Sequence, residues 1–292
     1  MPKPPSQATR EAIETFRHVF DSPRHRAYAV NGGRPGALLI HGFLGTPDEM
    51  RPVADLLIEM GWTVSVPLLP GHGADLDTLF DIDRTVWLDT VRAAYGDLAA
   101  TVSPCLLIGN SMGAAIAAAL APELNPTGLV LFSPFVRLPL AGPLRALAPV
   151  LEYLDIGVRP FRTIDTDNQE LRQSIHELVP DLDLDDADTR ATIRRLVVPA
   201  RVLGRLAALG RLALSAARHI SMPTLVLQGR QDDVALPANT RDFVRRFRST
   251  MAYHQLDGGH ELTRTSATSW DQVAIRIRCF ATAAAERDNT ND

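Results

Sequence analysis

Six short runs of this chain, Ala37 to His41, Thr63 to Pro67, Cys105 to Gly109, Gly128 to Phe132, Thr224 to Gln228 and Met251 to Leu256, are rich in leucine or β-branched residues, and most stay apolar from end to end. A strand with one wet face alternates apolar and polar residues. A run that does not alternate has to be covered on both faces, as the strands of a parallel sheet are. The segments between the runs carry helical spacing: Met50, Val53 and Leu57 fall on one face of 47–60, Trp87 and Val91 on one face of 83–99, and Val273, Ile277 and Phe280 on one face of 270–284. Strands and helices in alternation specify an α/β protein with a mostly parallel, doubly wound sheet. At 292 residues and 46% hydrophobic, the chain is long enough to bury the core that such a sheet needs.

The third run leads directly into Gly109-Asn110-Ser111-Met112-Gly113, and the Ala-rich run Ala114 to Leu120 follows. A serine between two glycines at a strand-to-helix junction has the form of a nucleophile elbow, in which a tight turn lifts the hydroxyl clear of the sheet edge. A serine hydroxyl is a poor nucleophile at neutral pH. It needs a neighbouring base, and the base needs an acid that fixes its tautomer and stabilises its charged form. In an open α/β sheet these partners come from the C-terminal ends of later strands. His260, in Asp257-Gly258-Gly259-His260-Glu261, follows the last expected strand and is preferred over His254, which lies within the strand pattern, and over His219, which precedes a strand at the wrong end. The acid is expected just after Gly229, where Asp232 and Asp233 are adjacent. Asp232 is chosen over Asp233 because the turn can aim only one of them at the imidazole; the alternative for both is capping of the helix near Pro237.

Attack on a carbonyl also requires N–H donors for the oxyanion. His41-Gly42-Phe43-Leu44-Gly45 leaves the first strong strand where such a loop belongs, so the backbone N–H groups of Phe43 and Met112 are the expected donors, with their side chains lining an acyl pocket. His41 and His72 are read as loop-packing residues.

About ninety residues separate the strand ending near Ser133 from the one starting at Thr224, with helical spacing and no expected strand. Leu144, Leu147, Leu151 and Leu154 form one stripe, Leu171, Ile175 and Leu178 a second, and Leu203, Leu206 and Leu209 a third. The expected division is a core of residues 1–136 and 199–292 with a helical cap at 137–198, and a core helix from Pro199 onward. The acids Asp181, Asp183, Asp185, Asp186 and Asp188 lack the glycine and terminal glutamate of a calcium loop and are read as a solvated hinge. Cys105 and Cys279 have no ligand-like spacing and are both expected as buried free thiols. A net charge of -4 without a basic block excludes nucleic acid as the main partner. With no signal-peptide pattern and no span-length apolar run, a cytoplasmic location with no integral membrane segment is expected.

In order along the chain stand H-G-F-L-G from His41, P-G-H-G from Pro70, G-N-S-M-G from Gly109, G-R-Q-D from Gly229 and G-G-H ending at His260. With their strand contexts these motifs resemble the α/β-hydrolase superfamily. Ile40 to Pro47, Pro67 to Gly73 and Met222 to Val226 are similar to the branch of bacterial carboxylesterases and monoacylglycerol lipases. The resemblance implies the α/β-hydrolase fold, hydrolysis of medium-chain esters or monoacylglycerols under a small cap, and no metal or cofactor. It carries Ser111, Asp232 and His260 as triad, and Phe43 and Met112 as oxyanion donors. Two features depart from the branch: the insertion is longer than its compact cap, and the elbow continues as Ala114-Ala115 where a further glycine is common. The serine nucleophile leaves thioester or carbon-carbon bond hydrolysis, a cofactor-free haloperoxidase or lyase, and a non-catalytic ligand receptor as alternatives to ester hydrolysis.

Overall fold

The computed structural model describes residues 18–138, 156–158, 167, 172, 183–195 and 197–289. Its main sheet contains β1 (Tyr28–Val30), β2 (Gly36–Ile40), β3 (Thr63–Val66), β4 (Cys105–Asn110), β5 (Gly128–Phe132), β8 (Thr224–Gly229) and β9 (Met251–Leu256) in the order β1-β3-β2-β4-β5-β8-β9. β1 is antiparallel to β3, and every other pairing is parallel. The six apolar runs are therefore the six parallel strands.

Their lack of alternation has the physical cause expected. In β2, β4, β5 and β8, Leu38, Ile40, Leu107, Leu129, Leu131 and Val226 point into one apolar layer. Their neighbours Ala37, Leu39, Leu106, Ile108, Val130, Phe132, Leu225 and Leu227 point into the other. The second layer is closed by α1 (Arg51–Glu59), through Val53, Ala54 and Leu57, and by α7 (Trp270–Asn289), through Val273, Ile277, Ala281 and Ala284. The first is closed by α2 (Arg84–Ala99), α3 (Met112–Leu124), α5 (Ala200–Ala216) and α6 (Pro237–Val244). α7 turns Cys279 away from this layer, so that thiol is exposed while Cys105 is buried. Helical period explains the correction: Val273, Ile277 and Ala281 define the inward face, and Cys279 lies off it.

α3 packs against β4 and β5 on one side and α5 on the other. A helix with two packed sides cannot be amphipathic, and its sequence is Ala-rich with Ala114, Ala115, Ala117, Ala118 and Ala121 wholly buried. Small side chains let it lie close to both neighbours.

The Leu144 to Leu154 stripe, and Leu171, Ile175 and Leu178 of the second stripe, lie outside the described residues. Within the expected insertion, α4 (Ala187–Arg195) is described, and a two-residue strand β6 (Gly157–Val158) pairs antiparallel with β7 (Val198–Pro199). No strand was expected there, because two residues are too few to show a period. Pro199 precedes the first turn of α5 as its N-cap. Asp186 accepts from the Thr189 N–H at 2.8 Å and Asp183 from the Asp185 N–H at 2.8 Å, so these two acids satisfy backbone donors at the start of α4.

Ala117→Leu tests the packing of α3. It should destabilise the fold by about 1–3 kcal/mol in denaturant unfolding, because the extra carbons have no space to enter. Val86→Leu on the exposed side of α2 should leave stability nearly unchanged.

Candidate active site

β4 ends at Asn110, and Ser111 turns the chain into α3 with φ 51° and ψ -112°. A left-handed φ on a serine costs of order 1–3 kcal/mol and persists only where its surroundings enforce it. Here they do. The Ser111 N–H donates to the Phe132 carbonyl at 2.9 Å, and the Ser111 carbonyl accepts from the Ala115 and Phe135 N–H groups, each at 3.1 Å. Both glycines are sterically required. A Cβ on Gly109 would strike the backbone of Gly113 and Ala114, and one on Gly113 would strike the carbonyls of Ile40 and His41. Ser111 is 7% exposed. Met112, the first residue of α3, offers an N–H that the helix itself does not use, at the positive end of the helix dipole.

Asp232 lies in the loop after β8, with its side chain fully buried. Its Oδ2 accepts from His260 Nδ1 at 2.9 Å and from Gln228 Nε2 at 2.9 Å. Its Oδ1 accepts from the N–H groups of Val234 at 3.0 Å and Ala235 at 2.7 Å. Burial opposes the charge of Asp232, but the His260 hydrogen bond and charge and the Ala235 N–H outweigh it and hold the carboxyl below its ordinary pKa. Asp233 is exposed. Gln228 is itself fixed by Thr240, whose hydroxyl donates to Oε1 at 2.6 Å. Neither Gln228 nor Thr240 was singled out from the sequence; a glutamine at the end of a buried strand was the available signal.

The His260 side chain is 14% exposed, on the loop after β9. That loop is bound to the Asp232 loop: Gln231 N–H donates to the Gly258 carbonyl at 3.0 Å, and Gly258 N–H donates to Gln231 Oε1 at 2.7 Å. The backbones approach so closely that a Cβ on Gly229 would overlap the Gly259 carbonyl. Burial disfavours the imidazolium, but the hydrogen bond and charge of Asp232, followed by the charges of Glu261 and Glu49, raise the pKa of His260 above its ordinary value. With Asp232 ionised and holding Nδ1–H, His260 Nε2 is the acceptor nitrogen. The structure thus joins Asp232 to His260 directly, whereas Ser111 Oγ makes no hydrogen bond to His260 among the described residues.

The loop after β2 passes beside Ser111, since a Cβ on Gly42 would lie 3.3 Å from the Ser111 Cβ. His41 pins this loop. Its Nε2 accepts from the Leu69 N–H at 3.0 Å, which leaves Nδ1 to donate to the Gly42 carbonyl at 2.8 Å. Burial first, and His72 next, push the His41 pKa down to about 3, so it stays neutral. The His72 ring meets those of His41, Phe43 and Trp87 edge to face at 5.0, 6.0 and 5.9 Å between centroids. Burial lowers its pKa to about 4. Both histidines pack the loop. The chain then bends through Leu44, at φ 63°, and the Gly45 N–H closes the turn on the Gly42 carbonyl at 3.2 Å.

One buried group of this site went unseen in the sequence. Glu49, 5% exposed, accepts from the Gly42 N–H at 2.5 Å and from Asn110 Nδ2 at 2.8 Å. An acid in a first helical turn is ordinarily a solvated complement to the helix dipole, so its type and position gave no signal of burial.

Over residues 35–264 the chain matches the family model Hydrolase_4, described as serine aminopeptidase, S33. It is 34% identical over 187 residues to the thermostable monoacylglycerol lipase of Bacillus sp. (strain H-257), covering 60% of this chain and 70% of that protein. A solved structure from work on LipS and LipT, two metagenome-derived lipolytic enzymes, superposes with a TM-score of 0.71 at 22% identity, covering 89% of this chain and 98% of that one. The monoacylglycerol lipase of Paleococcus ferrophilus superposes with a TM-score of 0.66 at 16% identity, covering 89% and 99%. At such identities the two structures speak for the fold. The family match runs from just before β2 to just beyond His260 and so encloses the parallel sheet with the elbow, the Asp232 loop and the His260 loop. This chain is a member of the Hydrolase_4 (serine aminopeptidase, S33) family, built on the α/β-hydrolase fold.

Proposed function

We propose that this chain, an ester hydrolase of the α/β-hydrolase type, cleaves carboxylic esters with an apolar acyl chain through an acyl-enzyme on Ser111. The observation that carries the reading is the Asp232–His260 hydrogen bond at the same end of the sheet as a serine held in an elbow. Ser111 Oγ attacks the ester carbonyl and passes its proton to His260 Nε2. The Phe43 and Met112 N–H groups receive the oxyanion, and the imidazolium then protonates the departing alcohol. Water, activated by the same imidazole, releases the acid and restores Ser111. These steps draw on protein groups alone, without a metal or cofactor. The relative named as a monoacylglycerol lipase supports an acyl substrate of this kind.

In the same reading residues 137–198 form a helical cap that takes part in acyl selection. Leu184, Ile193 and Val198 belong to the apolar cluster that also contains Met112 and against which Phe43 packs, which supports that role.

A fluorophosphonate should label Ser111, read by peptide mapping, and Ser111→Ala should lose roughly a thousandfold or more of kcat on p-nitrophenyl esters. Labelling elsewhere, with near-normal turnover in Ser111→Ala, would refute the acyl-enzyme.

Asp232→Asn should lose turnover heavily while Asp233→Asn keeps nearly all of it, both folded by circular dichroism. The reverse ranking would move the acid to Asp233.

His260 has to be neutral to accept the serine proton. Its pKa is raised, so activity is present at higher pH and disappears as pH falls through that value. The acid limb of kcat/KM should therefore have its midpoint above the ordinary histidine value of about 6.5. A midpoint below that value contradicts the electrostatics described for His260.

A further inference from the structure

Glu49 is a costly residue to keep. A buried carboxylate forfeits most of its hydration, which a hydrogen-bonded cation normally offsets. Glu49 has no such cation; its hydrogen-bond donors are the Gly42 N–H and the Asn110 amide. The charged groups that face it are Glu261, of like sign, Arg264, of opposite sign, and His260. Arg264 is shared, standing 3.6 Å from Asp48 and 3.7 Å from Glu261. Burial first, and Glu261 next, push the Glu49 carboxyl up to about 7 against the Gly42 N–H, Arg264 and Asn110.

The two donors connect different parts of the proposed machinery. Gly42 precedes Phe43, and Asn110 precedes Ser111. The carboxylate also fills the space over the loop, since a Cβ on Gly45 would lie 2.6 Å from Glu49 Oε2 and one on Gly42 would lie 3.2 Å from Oε1. We propose that Glu49 is a positioning residue: its carboxyl group clamps the Gly42–Gly45 loop to Asn110 and so fixes the Phe43 N–H relative to Ser111. The inference rests on the Ser111, His260 and Asp232 reading above.

A conservative variant can keep the clamp. Asn110 Oδ1 is buried without a hydrogen-bond partner. In Glu49→Gln the new amide oxygen can accept from the Gly42 N–H, and its NH2 can donate to Asn110 Oδ1 once that amide flips. Glutamine keeps the clamp, and Glu49→Ala removes it. The experiment measures kcat and KM on a p-nitrophenyl ester across pH for the wild type and both variants, with fluorophosphonate labelling of Ser111 and thermal unfolding as controls.

Glu49→Ala is expected to lose about tenfold or more of kcat with little change in KM, because a misplaced donor weakens transition-state binding more than ground-state binding. Glu49→Gln is expected to recover most of kcat above the acid limb. Wild-type kcat in a folded Glu49→Ala protein overturns the clamp, as does a Glu49→Gln kcat no higher than that of Glu49→Ala. If Glu49→Ala does not fold, Asn110→Ala, which removes the other half of the clamp, decides in its place: a loss of kcat with little change in KM upholds the proposal, and wild-type kcat overturns it. In every case, Ser111 labelling with loss of activity in Ser111→Ala shows that the acyl-enzyme reading stands apart from this outcome; failure of those controls would instead remove the reading on which it rests.

Discussion

The site depends on a place where no side chain fits. Gly113, in the first turn of α3, lies so close to the Ile40 and His41 carbonyls that a Cβ would collide with both. That contact sets the elbow helix against the end of β2, and with it the separation between Ser111 and the loop that begins at His41. Gly109 makes the same demand inside the elbow, where its α-carbon faces the backbone of Gly113. Two hydrogen atoms in place of side chains thus register a strand, a helix and a loop that are distant in sequence. The Ala-rich body of α3 extends this tight packing toward α5.

What could be read in advance follows from which interactions leave a periodic or positional trace. Strands buried on both faces are visible because the body of each is apolar on both sides, with polar residues confined to the ends, and β2, β4, β5 and β8 fall on the apolar runs to within a residue or so. The elbow was legible because its glycines are steric necessities at fixed spacing. His260 and Asp232 were legible by position after strands, although their contact depends on the loop-to-loop hydrogen bonds of Gln231 and Gly258, which no spacing encodes. Glu49 stayed hidden for a different reason. Its first-turn position is equally suited to a solvated acid, and only the path of the neighbouring loop decides whether water reaches it. Cys279 was misplaced because, in a helix containing polar residues on several sides, one position shifts a side chain by about 100°.

Charge in this region is organised in two ways. His41 and His72 are stripped of water and kept neutral, so they act as shaped packing pieces with fixed tautomers. Asp48, Glu49, Glu261 and Arg264 form a compact group of ionisable side chains behind the loop, with Arg24 reaching Asp48 at 2.7 Å. The first arrangement makes the loop rigid at little electrostatic cost. The second places negative charge near the imidazole that the proposed mechanism has to protonate.

Asp232 has about four lone-pair directions, and Val234, Ala235, Gln228 and His260 together supply four donors. Such a carboxylate is saturated: a proton moving onto it would have to displace a donor already in place. It behaves as a fixed charge that the fold installs once, and in the proposed mechanism the mobile proton rests on the imidazole. Each turnover would then separate charge across His260 and return it, with the aspartate electrically unchanged throughout.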